Sequence, residues 1–420
     1  MTSTAPPIVI AKRRVMYIPG YDPVPPRAYR ERYRREAARQ AALSGYTIAL
    51  GPPHSKAHFG WHVSAEIEGH QTETQVAVMV WADIVRASMD QGVLASYGQL
   101  ARTAWAYLGS GALFRLMRLR KGPVIAALYP VVVLLVQAML ALLLGYGAYR
   151  GVTALGHGLG DWGRLAPLLT AAGCAVGTVS LLAFLRWCQR RDHLLAWYLT
   201  HDYAFSAQAQ GAYPPAQEAR MAQFADTIAE ALTTDTDEVL IIGHSSGAYI
   251  AISVLADLIR VGRVPANGPA LALLTLGHVV PMVSFLPRAY RLRADLAYLA
   301  ASDALTWVDV TAPGDGCSFA LCDPVAVSGV APKDKRWPLV ISAAFSQTLR
   351  PATWAALRWR LFEAHFQYLN AFDNLPGRTD DYDYFRITAG PRTLAARFAG
   401  RAPSPARIDR AVNRYTGRAA

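Results

Sequence analysis

From Pro123 to Tyr149 the chain runs 27 residues without a charged side chain, and Gln137 is the only strongly polar residue among them. A second charge-free run of 21 residues extends from Leu165 to Leu185. At about 1.5 Å per residue, each run as a helix reaches or exceeds the ~30 Å hydrocarbon core of a bilayer. The sequence therefore predicts a transmembrane hairpin, with helices over 123–149 and 165–187 and a loop of about 15 residues between the charge-free runs. Arg115, Arg118, Arg120 and Lys121 precede the first span and Arg186, Arg190 and Arg191 follow the second, whereas the connection holds Arg150 and Arg164. By the positive-inside rule both termini then face the cytoplasm. Tyr146, Tyr149 and Trp162 at one end and Trp187 at the other suit interfacial anchors, and Gly173 with Gly177 forms a GxxxG through which helices can approach. Neither charge-free run contains Asp, Glu, Lys, Arg or His, so the pair reads as an anchor and not as a transport path.

Composition narrows the rest. Charged residues are 17% and hydrophobic residues 53%, which excludes disorder and coiled coil. Lys and Arg outnumber Asp and Glu by 42 to 30, a balance that points to nucleic acid or to an anionic membrane surface. The arginines beside the spans, and the lack of any nucleic-acid motif, favour the bilayer as partner and disfavour nucleic acid. Cys174, Cys188, Cys317 and Cys322 make neither a disulfide framework nor a zinc-spaced pair, so the expectation is a reducing compartment, no structural metal and no cofactor. The amino terminus, MTSTAPPIVIAKRR, places its basic residues after the apolar run, the wrong order for a secretory signal. Richness in Ala and Arg fits a bacterial chain, whose membrane would be the inner one. Residues 98–121 read as one amphipathic helix, lying either on the membrane surface or against the soluble part. A basic helix over 27–43 is closed by Gly45, and residues 401–420 read as a frayed tail.

Outside the hairpin, short apolar runs alternate with helical patterns, the signature of a mostly parallel α/β sheet. Strands are expected at 14–18, 76–82, 238–242, 270–277, 305–311 and 338–345, with weaker ones at 46–50 and 61–69. A helix from about Ala216 to Leu232 precedes the strand at 238–242. Another follows it, with Ala251, Val254, Leu255, Leu258 and Ile259 on one face.

The junction DEVLIIGHSSGAYIAISVLADLI carries the chemistry. Gly243-His244-Ser245-Ser246-Gly247 is a G-x-S-x-G between a buried strand and a helix, a turn so tight that the residues two before and two after the serine must be small. The motif alone is cheap; both flanks matching is what gives it weight. Serine becomes nucleophilic only when a histidine takes its proton, and that histidine needs an acid to fix its tautomer. Around such an elbow the chain order is Ser, then Asp or Glu, then His. Only His278 and His365 follow Ser245, and only His365 lies beyond every plausible acid loop. Asp315, in DVTAPGDGCSF just past a strand, is the preferred acid, with Asp309 and Asp323 as alternatives. The oxyanion donors would be the N–H of Ser246 and, from the VMYIPGYDP loop, Tyr21 beside Gly20.

With these residues the sequence resembles the α/β-hydrolase superfamily, over roughly 15–95 and 205–390, on IIGHSSGA, YIPGYDP, the loop at Asp315 and the late His365. The resemblance implies an α/β-hydrolase-like fold and an activity among serine esterases, lipases, thioesterases, peptidases, amidases or acyltransferases. This chain departs from the family in a sheet that starts at the family's third strand, in an irregular hairpin near 46–69, and in a membrane insertion placed before the nucleophile. The expected organisation is a hydrolase domain made of 1–96 and 206–400, a membrane insertion at 97–205, and a flexible tail at 401–420. The apolar GHVVPMVSFLP after the strand at 270–277 is expected near the pocket and favours a hydrophobic acyl ester as substrate. An acyltransferase using the same acyl-enzyme, and an inactive membrane scaffold, are the alternatives.

Overall fold

A computed structural model of the chain describes residues 9–54, 59–157, 162–378 and 381–419. Two compact units emerge: one holds 1–87, 107–124 and 207–420, the other 88–106 and 125–206. The stretch 107–124, expected in the membrane insertion, therefore groups with the sheet.

The first unit is α/β, built on a mostly parallel eight-stranded sheet flanked by helices. Its strands are β1 (Lys12–Ile18), β2 (Thr47–His54), β3 (Gly60–Ile67), β4 (His70–Val78), β5 (Glu238–His244), β6 (Ala270–Leu276), β7 (Thr306–Thr311) and β8 (Leu339–Ser342), in the spatial order β2-β3-β4-β1-β5-β6-β7-β8. All pairings from β4 through β8 are parallel, and β2-β3-β4 is an antiparallel meander. The two halves read differently in the sequence for a physical reason. β5 is buried on both faces and is a continuous apolar run, whereas β3 and β4 alternate buried with exposed residues, as a sheet wetted on one face must. That alternation explains a correction: the strand expected at 76–82 runs over 70–78, because HQTETQ carries outward polar residues that hide it from an apolar-run reading. β2 and β3 form the expected hairpin, with a register shift between Leu50 and Pro53; part of its connection, 55–58, lies outside the described residues.

Helix α1 (Arg27–Ser44) ends as expected at Gly45, whose left-handed φ of 71° lets its N–H reach the carbonyl of Ala41. The helices that follow are α2 (Ala82–Met89), α3 (Val93–Gly109) and α4 (Ala112–Leu119). The single helix expected over 98–121 is thus two, broken where Gly111 takes a φ of 68°. α8 (Pro215–Ala231) leads to β5, and α9 (Gly247–Arg260) leaves it with nearly every residue buried. α10 (Val280–Ser284) and α11 (Tyr290–Ala301) lie between β6 and β7. The expected frayed tail is not free. Cys322 bridges to Ile408, the Ser404 N–H donates to the Val340 carbonyl, and buried Arg293 donates to the Gly417 carbonyl. Such backbone pairing stitches 401–419 to the domain in spite of its loop-like composition.

The second unit contains α5 (Lys121–His157) from Ile125 onward, α6 (Trp162–Arg191) and most of α7 (Ala196–Ala207). Over Lys121–Leu155 and Leu165–Arg191, α5 and α6 are long and apolar enough to cross a membrane, and most of their surface is exposed. Both run on beyond the expected spans; residues 158–161 between them, and the side chains of Trp162 and Arg164, lie outside the described residues. The glycines do set the helix approach: a Cβ on Gly177 would stand 2.6 Å from the Gly145 carbonyl oxygen, and one on Gly173 would stand 3.0 Å from the Tyr149 ring. Gln137, the polar exception in the first run, accepts the Trp197 indole N–H at 2.9 Å.

Candidate active site

β5 ends at His244, and the chain reverses into α9 across two residues, Ser245 and Ser246. Ser245 makes that reversal with a φ of 57°, a left-handed conformation that a residue with a Cβ adopts at a cost of about 1–3 kcal/mol. Its N–H donates to the Leu276 carbonyl at the end of β6, which fixes the turn to the neighbouring strand. The flanking glycines are sterically required: a Cβ on Gly243 would lie 2.7 Å from Ala248 Cα, and one on Gly247 would lie 2.1 Å from the Ile18 carbonyl oxygen. Ser245 itself is half-exposed between buried His244 and Ser246.

The loop after β1 packs on this turn. A Cβ on Gly20 would meet Ser245 Cβ at 2.9 Å and Oγ at 3.4 Å, so only a glycine lets the loop come this close to the serine. The Trp81 indole N–H holds the loop by donating to the Pro19 carbonyl at 2.9 Å, and buried Tyr21 sets its ring edge-on to Trp81. Gly20, Tyr21 and the Ser246 amide at the start of α9 are therefore gathered around Ser245.

The other two expected residues meet each other. His365 closes the short helix Leu361–His365, and its Nδ1–H donates to Asp315 Oδ2 at 2.8 Å, with both side chains buried. A carboxylate only accepts, so this bond assigns the proton to Nδ1 and leaves Nε2 as the base. Burial alone would raise the Asp315 carboxyl; the His365 charge and hydrogen bond and the Cys317 N–H outweigh it and hold it below its ordinary value. Gly277, next to the Leu276 carbonyl that binds Ser245, links the pair to the serine: a Cβ there would lie 3.2 Å from both Asp315 Oδ2 and His365 Cε1. Among the described residues no hydrogen bond joins Ser245 Oγ to the His365 ring.

The alternative acids stand elsewhere. Asp309 is buried in β7, accepts the Thr275 hydroxyl at 2.6 Å, and is pushed well above the usual carboxylate range by burial. Asp323 caps the helix Pro324–Val327 and pairs with Lys335 at 2.7 Å. His278 donates from Nε2 to the Cys322 carbonyl at 3.0 Å, which helps pin the far end of the loop that carries Asp315.

Tyr368, and the tertiary role of the elbow residue His244, went unread in the sequence. The Tyr368 hydroxyl donates to Asp315 Oδ2 at 3.0 Å and accepts the Ala312 N–H at 2.9 Å, while the Cys317 N–H holds the other carboxylate oxygen, Oδ1. His244 occupies the variable position of the motif, yet its Nε2–H donates to the His365 carbonyl at 3.0 Å while Nδ1 accepts the Tyr17 hydroxyl at 3.3 Å. Burial, and then the charge of His365, push its pKa down to about 3, so it stays neutral. Neither role has a local signal; both depend on what the fold brings alongside.

The surroundings correct one expectation. Val280, Met282, Val283, Phe285 and Leu286 of the apolar segment are buried in the core instead of being displayed to a ligand. Near Asp315, exposed Leu361 supplies apolar surface where it approaches Gly316. Gly122, in the first turn of α5, packs against Gly316, and Arg120 donates to the Ala320 carbonyl at 2.7 Å. No family model, curated protein or solved structure matches the chain.

Proposed function

We propose that this chain is a membrane-anchored serine hydrolase of the α/β-hydrolase type, cleaving a carboxylic ester of a lipid or other hydrophobic acyl substrate. The observation that carries the reading is a serine held at positive φ on a strand-to-helix turn, beside a histidine whose Nδ1–H is bound by a buried carboxylate. In this reading Ser245 Oγ attacks the ester carbonyl while His365 Nε2 takes its proton. The oxyanion is met by the amides of Ser246 and Tyr21, with Gly20 leaving room. Collapse returns the proton from His365 to the departing alkoxide and leaves an acyl-Ser245. Water, deprotonated by the same nitrogen, then releases the acid. Asp315 stays ionised and stabilises the imidazolium.

Two observations support a hydrophobic substrate. Exposed Leu361 displays apolar surface beside the acid loop, and the chain continues from that loop's neighbour Gly122 directly into a helix apolar enough to span a bilayer. The α5–α6 hairpin would act as an anchor in an inner membrane, with the catalytic unit cytoplasmic, and would raise the local concentration of lipid substrate. The test is hydrolysis of p-nitrophenyl esters of increasing chain length by the full chain in nanodiscs. Turnover that rises with chain length and falls by about 10³–10⁴ in Asp315→Asn is expected. Turnover unaffected by Asp315→Asn would contradict the reading, and acyl transfer to added alcohol in preference to water would move it to an acyltransferase.

A further inference from the structure

Cys317 brings a third metal-ligating group to the Asp315–His365 pair, and the ester mechanism makes no use of its side chain. A carboxylate oxygen, the thiol sulfur and a ring nitrogen of the three residues all lie within 4.8 Å of one another. Around a tetrahedral zinc ion, with bonds of about 2.0–2.3 Å, such atoms stand roughly 3.5 Å apart, so closing on an ion takes a shift of about 1 Å. Asp315 and His365 are buried, whereas Cys317 is half-exposed and gives a solute its way in. Sulfur and imidazole nitrogen together select zinc-like ions over magnesium or calcium.

We propose that Asp315, Cys317 and His365 form an inhibitory zinc site, with water in the fourth position. Binding releases the thiol proton to solvent. Coordination through His365 Nδ1 sends the ring proton to Nε2, and coordination through Nε2 occupies its lone pair; either way the general base is lost. The inhibition rests on the hydrolase reading, while the metal site rests on the geometry alone, and the experiment separates the two.

The full chain in nanodiscs is titrated with Co²⁺, read by thiolate-to-cobalt charge-transfer absorption, and then with Zn²⁺ in competition. Maleimide alkylation of Cys317 is followed by peptide mass spectrometry with and without zinc. A charge-transfer band that zinc displaces, and protection of Cys317 in the wild type, are expected. Cys317→Ser should lose the band and weaken zinc binding by more than ~10-fold, since even outer-sphere changes cost about 10–100-fold, while Cys174→Ser keeps both. Each variant's ester hydrolysis is compared with itself with and without zinc. Hydrolysis that zinc suppresses in the wild type but not in Cys317→Ser supports the inhibitory role, and hydrolysis indifferent to bound zinc overturns that role. A bound metal with no hydrolysis at all would leave the site standing and remove the hydrolase reading. Absence of the band together with unprotected Cys317 would overturn the site, and because protection is read on the wild type, a misfolded variant cannot mask that result.

Discussion

Gly247→Ala puts the smallest possible side chain between the nucleophile turn and the loop after β1. Its Cβ would stand 2.1 Å from the Ile18 carbonyl oxygen and 2.7 Å from that of Pro19, whereas ordinary contact begins at 3.4 Å. Both neighbours are backbone, so no rotamer change relieves the overlap. The start of α9 and the end of β1 must separate by about 1 Å, at a cost of about 1–3 kcal/mol as for other overpacked sites. For the sheet unit, with its more than 300 residues, this is a fall in Tm of roughly 2–5 °C. The functional effect is larger. The displaced parts carry Ser246 on one side and Gly20 and Tyr21 on the other, and a ~1 Å misplacement of such groups costs on the order of 10²-fold in rate. The assay is the second-order rate of fluorophosphonate labelling at a temperature where circular dichroism finds the variant folded. Gly98→Ala is the control: nothing lies within 4 Å of a Cβ there, and as a helical position it should gain stability and label normally. Gly247→Ala labelled at the wild-type rate with an unchanged Tm would refute the steric reasoning.

Other outcomes follow from the same geometry. Tyr368→Phe removes a donor from Asp315 and orphans the buried Ala312 N–H, so it should destabilise by about 1–3 kcal/mol and slow labelling, as denaturant melts and labelling rates would register. His244 has a pKa of about 3 folded against 6.5 as its ordinary value, so above pH 6.5 it contributes nothing to the pH dependence, and as pH falls from 6.5 toward 3 the unfolded chain binds the proton that the folded one refuses. By pH 4.5 that difference is about 3 kcal/mol, and His244→Gln should flatten the acid loss of stability between pH 7.5 and 4.5 by that order, measured by urea unfolding in mild detergent. A slope unchanged in His244→Gln would show that folded His244 takes up its proton as readily as the unfolded chain does. Gly177→Ala must push the Gly145 carbonyl away from 2.6 Å and should destabilise the α5–α6 hairpin by about 1–3 kcal/mol, seen as a lower unfolding midpoint in detergent; an unchanged midpoint would mean that the two helices do not meet there.

Much of this arrangement was legible in the sequence because the signals were local. The strand-turn-helix at Gly243–Gly247 announces itself through an apolar run, two glycines and a 3.6-residue period. The order Ser245, Asp315, His365 left a single histidine late enough to serve. The two apolar helices needed only length and the absence of charge. The parts that escaped depend on tertiary neighbours. β4 begins six residues early because its outer face is wet, α3 and α4 part at a left-handed glycine, and the apolar segment after β6 is core. The tail at 401–419 has the composition of a loop and is held by backbone hydrogen bonds to β8 and to the loop after β7, which no residue pattern announces. Tyr368 and His244 likewise take their roles from Asp315 and the His365 backbone, each more than 50 residues away.

The most direct test of the central claim, an activated Ser245, is fluorophosphonate labelling of the full chain in nanodiscs, wild type against Ser245→Ala. Covalent labelling of the wild type at Ser245, located by peptide mass spectrometry, is expected, and none in Ser245→Ala at equal folded amount. A folded wild type that takes no label, or equal labelling of both proteins, would contradict it.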